Sequence, residues 1–281
     1  MIRVFPRKTK WTPDDELAFV GDPPLFRPPE DSVSISVLFT WDIQEGERLL
    51  KAWSKFYRDV KIGGPAFDIP GGDFIPGRFV KKGATITSRG CPNRCWFCSV
   101  WKRDGNTVRE LSINEGYNIL DDNLLACSDF HIKKVFQMLR RQSRAADFSG
   151  GWEAKRLQFW HIDELKKIRL QQVWFAYDTE DDLEPLIEAG KKLRDAGIGL
   201  TKTGEVSHKI RCYCLVGYPK DSLNDADLRM KQAYSAGFLP MAMLYRNKNG
   251  GTDYEWKRFQ KFWARPASIN RMCRDQSMAK S

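Results

Sequence analysis

Apolar and polar positions alternate along this chain with two periods, and the switches between them mark out its elements. At Ser32–Phe39 the run Ser-Val-Ser-Ile-Ser-Val-Leu-Phe alternates at every second residue, the mark of a strand with one buried face. Over Gln44–Asp59 the period changes: Leu49, Leu50, Trp53, Phe56 and Tyr57 recur at intervals of three and four and predict an amphipathic helix. Val60–Phe67 returns to a strand that ends in a glycine turn. Strand, helix and strand in about 35 residues make one βαβ unit. Ahead of it, residues 1–31 are rich in proline and charge, with Pro23-Pro24 and Pro28-Pro29, and predict an extended lead-in.

From residue 83 the pattern becomes repeated strand–helix units. The strands are predicted at Gly83–Ser88, Asn118–Leu125, Trp152–Leu157, Gln172–Tyr177, Ile210–Val216 and Leu239–Tyr245. Helices are predicted at Leu111–Leu120, with Ser112 and Glu115 as a capping box, and at Phe130–Arg144, Asp163–Leu170, Asp182–Ala196 and Asp221–Ser235. Six strands with intervening helices predict an α/β fold, a partial (β/α)6 barrel. The predicted division is 1–31 lead-in, 32–80 βαβ segment, 81–246 barrel and 247–281 basic, aromatic helix and tail.

Composition narrows the class. The chain has 281 residues, 42% hydrophobic and 29% charged, ordinary for a globular protein. No apolar run approaches the roughly 20 residues of a membrane span. The first residues, Met-Ile-Arg-Val-Phe-Pro-Arg-Lys, lack the apolar core of a signal peptide. Seven cysteines, three of them clustered, argue against a disulfide framework and for a reducing, cytoplasmic setting. Net charge is +10, and residues 246–281 hold nine Lys/Arg against three Asp/Glu, so +6 of it sits there. Such a tail is a handle for phosphate backbones or a solvated surface helix. Within it Trp256, Phe259, Phe262 and Trp263 recur at helical spacing as a packing stripe, with Lys257, Arg258 and Lys261 on other faces.

The chemistry is concentrated in Thr87–Cys98, which reads Thr-Ser-Arg-Gly-Cys-Pro-Asn-Arg-Cys-Trp-Phe-Cys. Cys91, Cys95 and Cys98 form a C-x3-C-x2-C triplet that brings three thiolates to one point. Iron–sulfur clusters are normally held by four cysteines, so three leave one iron open. The loop follows a β-branched strand, and Gly90 and Pro92 favour a tight turn around the first thiolate. The alternative is a structural zinc completed by Cys127, Cys212, Cys214 or Cys273, although zinc sites usually pair two C-x2-C knuckles or add histidines at short spacing. His131, His161 and His208 are isolated in the sequence and read as structural. Cys212 and Cys214 share one side of a strand and read as buried core thiols.

The triplet resembles the cluster loop of radical S-adenosylmethionine (SAM) enzymes. Gly63-Gly-Pro-Ala66, Asp121-Asp-Asn123, Gly150–Arg156 with Phe175–Asp178, and Leu215–Pro219 resemble further landmarks of that family. Where relatives carry Gly-Leu-Asp-x-Arg, Trp152 and Glu153 stand here. The resemblance implies a 4Fe-4S cluster on Cys91, Cys95 and Cys98 and SAM as its ligand. It places Phe97 near the adenine, Asp122 and Asn123 at the SAM amine where relatives use Gly-Gly-Glu, and Arg156 at the SAM carboxylate, the alternative for Arg156 being a surface pair with Glu153. Asp178 would contact SAM or substrate, and Gly217 would let backbone approach the adenine. It also implies a reductant such as flavodoxin or ferredoxin. Net basicity points to a nucleic-acid substrate, tRNA or DNA. The rival class is a zinc-stabilised nucleic-acid-binding protein without catalysis. The βαβ segment resembles part of a cobalamin-binding domain, but Asp-x-His-x-x-Gly is absent and the first histidine is His131, so cobalamin is not expected.

Overall fold

The strands that alternation predicts are largely present, and neighbouring strands run mostly parallel. The structure, a computed structural model, describes residues 1–247, 250–251, 253–267 and 269–270. It divides into two compact units, Met1–Asp122 with a short stretch at Gly250, and Asn123–Asn247 with the C-terminal helix. Among the described residues no helix is long and apolar enough to cross a membrane.

The first unit opens with β1 (Ile2–Phe5), β2 (Ala18–Val20), β3 (Ser32–Ser36), α1 (Ile43–Trp53) and β4 (Asp59–Gly63). These strands form one parallel sheet in the order β2-β1-β3-β4. The predicted βαβ unit is therefore β3-α1-β4. Val33, Ile35 and Val37 bury one face against Leu49 and Trp53 of α1, each such side chain contributing about 1.5–3 kcal/mol of burial. Gly46 lets the helix come close, since a Cβ there would stand 2.6 Å from Val37 Cγ2. The lead-in does more than the sequence indicated. Its Ile2 and Val4 are fully buried in the same core, a pattern too short to stand out among prolines and charges. Arg3 secures it, donating to the Gly77 carbonyl at 2.7 Å.

The unit continues with β5 (Ala84–Thr85), β6 (Ser88–Arg89), α2 (Val100–Arg103), β7 (Arg109–Glu110) and β8 (Asn118–Ile119). β5 pairs parallel with β8, and β6 antiparallel with β7. The predicted helix at 111–120 does not form. Tyr117 and Asn118 both donate their N–H to the Gly83 carbonyl, at 2.8 and 3.0 Å, and Leu120 to Thr85 at 2.9 Å. These donors serve the neighbouring strand, and Ser112 caps nothing helical. The predicted strand at 118–125 shortens to β8, followed by a turn at Leu124–Ala126.

The second unit comprises α3 (Asp129–Arg140), β9 (Ala146–Trp152), α4 (Phe159–Lys166), β10 (Leu170–Tyr177), α5 (Leu183–Asp195), β11 (Ile210–Val216), α6 (Leu223–Ser235), β12 (Leu239–Leu244) and α7 (Tyr254–Phe262). β9 to β12 lie side by side in chain order, all parallel. Ser128 and Ser222 cap α3 and α6, accepting from the N–H of His131 and Asp225. The third predicted strand is displaced. The strand predicted to begin at Trp152 in fact ends there, and Gly150 and Gly151 lie inside β9. There Gly151 has φ +94°, and the register against β10 shifts between Phe148↔Val173 and Trp152↔Phe175. The pair marks a bulge, and residues 154–156 form a 3-10 turn.

Alternation sorts this sheet into two faces. Phe148, Trp152, Phe175, Cys212 and Cys214 lie on one, with Phe136 of α3 and Phe238 closing an aromatic core. Trp174, Ala176, Arg211 and Tyr213 lie on the other. At the sheet's far edge α7 packs on β12. Trp256 reaches Gly217, and Trp263 is fully buried, while Lys257, Arg258 and Lys261 stay exposed. Among the described residues no strand pairing closes a barrel. Residues 271–281, which include Cys273 and much of the predicted basic tail, lie outside the described residues.

Candidate functional site

A glycine, two aspartates and a short ladder hold the cysteine loop. Its stem is the β6–β7 pair, Ser88 opposite Glu110 and Arg89 opposite Arg109. Asp121, at the end of β8, ties that stem down: it accepts from the Thr87 N–H at 2.6 Å, the Thr87 hydroxyl at 2.6 Å and the Ser88 hydroxyl at 2.7 Å. Gly90 then turns the chain at φ +87°, and a Cβ there would stand 2.3 Å from the Thr107 carbonyl oxygen. No other residue type fits that close approach. Asp122 accepts the Gly90 N–H at 2.9 Å.

The cysteines follow directly. Cys91 donates its N–H to the Gly105 carbonyl at 3.4 Å, and Cys98 its N–H to Cys95 at 3.1 Å. Trp101 Nε1 braces the loop by donating to the Cys95 carbonyl at 3.0 Å. Val100 N–H points at Cys98 Sγ, 3.5 Å away. All three thiols are half-buried. Burial pushes the Cys98 thiol up, and Cys91 and Asp122, close enough to be felt electrostatically, add to it. Beneath the loop Arg103 pairs with Asp104 at 2.6 Å and lies 3.6 Å from Asp122. Burial raises the Asp122 carboxyl despite its bond from Gly90 and the nearby Arg103. Phe97 is half-buried and meets Trp96 edge-on, centroids 5.4 Å apart.

Soft sulfur donors on a braced loop, with a backbone N–H aimed at one sulfur, fit a multi-iron group.

In the second unit Asn123 and Arg156 converge on one carboxylate, that of Glu153. Its Oε2 accepts from Asn123 Nδ2 at 2.8 Å and Arg156 Nε at 2.6 Å, and its Oε1 forms an ion pair with the Lys155 ammonium, 2.8 Å away. The Glu153 side chain is only 12% exposed, so this is a built pair rather than a loose surface one. The pairing of Glu153 with Arg156 was one of the two sequence readings and is present; what the sequence did not indicate is that Asn123 joins it.

Asp178 stands just past the C-terminal end of β10. Its Oδ1 accepts the Leu215 N–H at 3.0 Å. Burial, with the Asp182 carboxylate nearby, pushes its carboxyl up to about 7, against the pull of Leu215 and Arg229. Gly217 takes φ +73° and donates its N–H to Asp221 at 2.7 Å. The space a Cβ would need there lies 2.7 Å from Leu244 and 3.0 Å from Trp256 of α7. Arg229 locks this turn, donating to Asp221 at 2.8 Å and to the Leu215 carbonyl at 3.2 Å. Sequence reading also missed the stack of Trp174, Arg211 and Tyr213. Its only signal was that Arg211 and Tyr213 face away from Cys212 and Cys214.

No protein-family model and no curated relative matches the sequence. Solved structures do match in shape. One is TsrM from Kitasatospora setae, a radical S-adenosylmethionine methyltransferase with cobalamin and a 4Fe-4S cluster bound. It is 12% identical over 86% of this chain and 74% of that one, at a TM-score of 0.58. Another TsrM structure, with tryptophan substrate and the SAM analogue aza-SAM, is 12% identical over 78% of this chain and 62% of that one, at 0.55. The similarity is one of fold, an α/β architecture of parallel sheets.

Proposed function

We propose that this protein is a radical SAM enzyme, with Cys91, Cys95 and Cys98 holding a 4Fe-4S cluster whose fourth iron is left for SAM. The observation that carries this reading is the braced three-cysteine loop, on a chain with the fold of a radical SAM methyltransferase. When bound, such a cluster supplies the electron that cleaves a C–S bond of SAM and releases a 5′-deoxyadenosyl radical. The strands from Ala84 onward are, in this proposal, the partial (β/α)6 barrel of that family.

The chain's own residues bind and orient. Asp121 and Asp122 fix the loop that presents the thiolates. Glu153 fixes Arg156 through its Nε, leaving the other guanidinium nitrogens for the SAM carboxylate. In this reading Asp122 and Asn123 are the candidates for the SAM amine, Phe97 is the candidate for the adenine, and Gly217 would let backbone approach it. Asp178, with a carboxyl near 7, holds or releases a proton at its free oxygen close to neutral pH. The exposed Lys257, Arg258 and Lys261 on α7 support a nucleic-acid substrate. A flavodoxin or ferredoxin would deliver the electron, as expected of a cytoplasmic enzyme.

Anaerobic reconstitution tests the reading. The expected result is a brown protein with about four iron per chain that releases 5′-deoxyadenosine from SAM under a strong reductant. Cys95→Ala loses colour and cleavage together. A colourless protein that takes up zinc instead returns the chain to the binding-protein class.

A further inference from the structure

One buried charge takes no part in the proposed chemistry. Arg211 of β11 lies directly opposite Trp174 of β10, and Tyr213 opposite Ala176. Alternation therefore puts Trp174, Arg211 and Tyr213 on the face opposite the Cys212–Cys214 core. Asp147 of β9 joins that face through its pairing with Gln172. The Arg211 guanidinium carbon sits 4.2 Å from the Trp174 ring centroid. Tyr213 stacks on the same indole, centroids 4.3 Å apart and planes 13° from parallel. Its hydroxyl donates to the Ser149 carbonyl at 3.2 Å, which fixes the stack from the far side.

Arg211 is only 9% exposed, and its Nε and Nη2 are fully buried without a hydrogen-bond partner. Asp147 is near enough to be felt by the charge but accepts from neither nitrogen. An arginine keeps its charge even when burial disfavours it, and an uncompensated buried charge is strongly destabilising. Buried polar groups without partners in native structures call for an explanation, such as an ion or ligand. The two orphaned nitrogens are also a matched pair. Nε and Nη2 form the side-on fork of a guanidinium, whose parallel N–H bonds fit two oxygens of one carboxylate or phosphate. Stacking on Trp174 holds the plane of that fork before anything binds.

We propose that the Nε–Nη2 edge of Arg211 binds an oxyanion of a small-molecule ligand, a carboxylate or a phosphate, with Trp174 and Tyr213 setting its plane. This site is distinct from Arg156, whose Nε already serves Glu153. It stands whether or not the cysteines hold a cluster.

The test uses the full chain, with thermal unfolding and calorimetric titration at matched ionic strength. The probes are inorganic phosphate, S-adenosylhomocysteine, and 5′-methylthioadenosine, the related thioether nucleoside without an amino-acid carboxylate. The wild type is expected to bind phosphate, or to prefer S-adenosylhomocysteine over 5′-methylthioadenosine, and to melt higher with the anion that binds. Which anion acts names the source. Arg211→Met, which removes the buried charge, is expected to bind at least tenfold more weakly and to melt no lower than wild type without oxyanion. A wild type indifferent to both anions overturns the proposal. So does an Arg211→Met protein that responds like wild type, or one that melts lower with its binding unchanged. If Arg211→Met does not fold, Arg211→Lys decides: it keeps the charge but loses the fork, and undiminished binding overturns the proposal. Iron content and 5′-deoxyadenosine release, read on the same preparations, report separately on the cluster.

Discussion

Gly90→Ala probes the loop at the residue next to the first thiolate. An alanine at φ +87° costs roughly 1–2 kcal/mol in torsional strain. The new Cβ would also stand 2.3 Å from the Thr107 carbonyl oxygen, a backbone atom that cannot swing aside. Relief requires Gly90 to rotate, which breaks its N–H bond to Asp122; hydrogen bonds to charged groups are worth about 1.5–3 kcal/mol. Together the substitution costs roughly 3–5 kcal/mol, a large part of a typical stability of about 5–15 kcal/mol. Two glycines of the same unit separate the contributions. Gly105 has φ +90° with nothing within 4 Å of its Cβ position, so Gly105→Ala pays only the torsion, about 1–2 kcal/mol. Gly72 has open space and no positive φ, so Gly72→Ala stays within about 0.5 kcal/mol of wild type. Denaturant unfolding of the three apo variants gives the stabilities, and iron per chain after reconstitution gives the loop geometry. Gly90→Ala is expected to be the least stable and to load the least iron. Equal effects for Gly90→Ala and Gly105→Ala would refute the close approach to Thr107.

Other expectations follow from the second unit. Asp178 is raised from 3.8 to about 7, so the folded state binds more protons than the unfolded chain between those values and loses stability as pH rises through them. Asp178→Asn is therefore expected to gain on wild type from pH 3.8 to about 7 and to run parallel above; a constant difference across a denaturation series in pH contradicts this. Glu153→Ala strands three donors at a nearly buried position, and is expected to lose about 2 kcal/mol or more. Arg156→Ala, at a more exposed partner, should lose about 0.5–1 kcal/mol; the reverse order by chemical denaturation counts against the hub. Gly217→Ala drives a methyl into Leu244 and Trp256. Combining it with Trp256→Leu is expected to cost less than the sum of the two, and strict additivity in a double-mutant cycle would remove that contact.

Periodicity carried the sequence reading where a strand or helix was long enough to repeat. Ile210–Val216 was legible to the residue, and α5 and α6 to within two residues, because each buries one regular face; the helix predicted to run to Asp59 stops at Trp53, and Asp59 opens β4. The reading failed where tertiary partners decide. Leu111–Leu120 has a helix-like cap, but Gly83 and Thr85 claim the backbone N–H groups of Tyr117, Asn118 and Leu120. Trp152–Leu157 was read as a strand, but the strand ends at Trp152 and carries a bulge at Gly150-Gly151. Of the site, the cysteines are visible in sequence because spacing along a loop constrains where thiolates meet. Asp122 was noticed for its position past a strand, but not that its carboxylate would hold Gly90. Asn123 reaches Glu153, and Trp174 reaches Arg211, from other elements, and no local pattern announces such convergence.

The central claim is that three cysteines hold a cluster with one iron left open to SAM. The most direct measurement is Mössbauer spectroscopy of the full chain reconstituted with iron-57, with and without SAM. The account predicts four iron per chain, one of which shifts toward higher coordination when SAM is added while three stay unchanged. Four irons that ignore SAM, or a chain that takes up no iron, would contradict it.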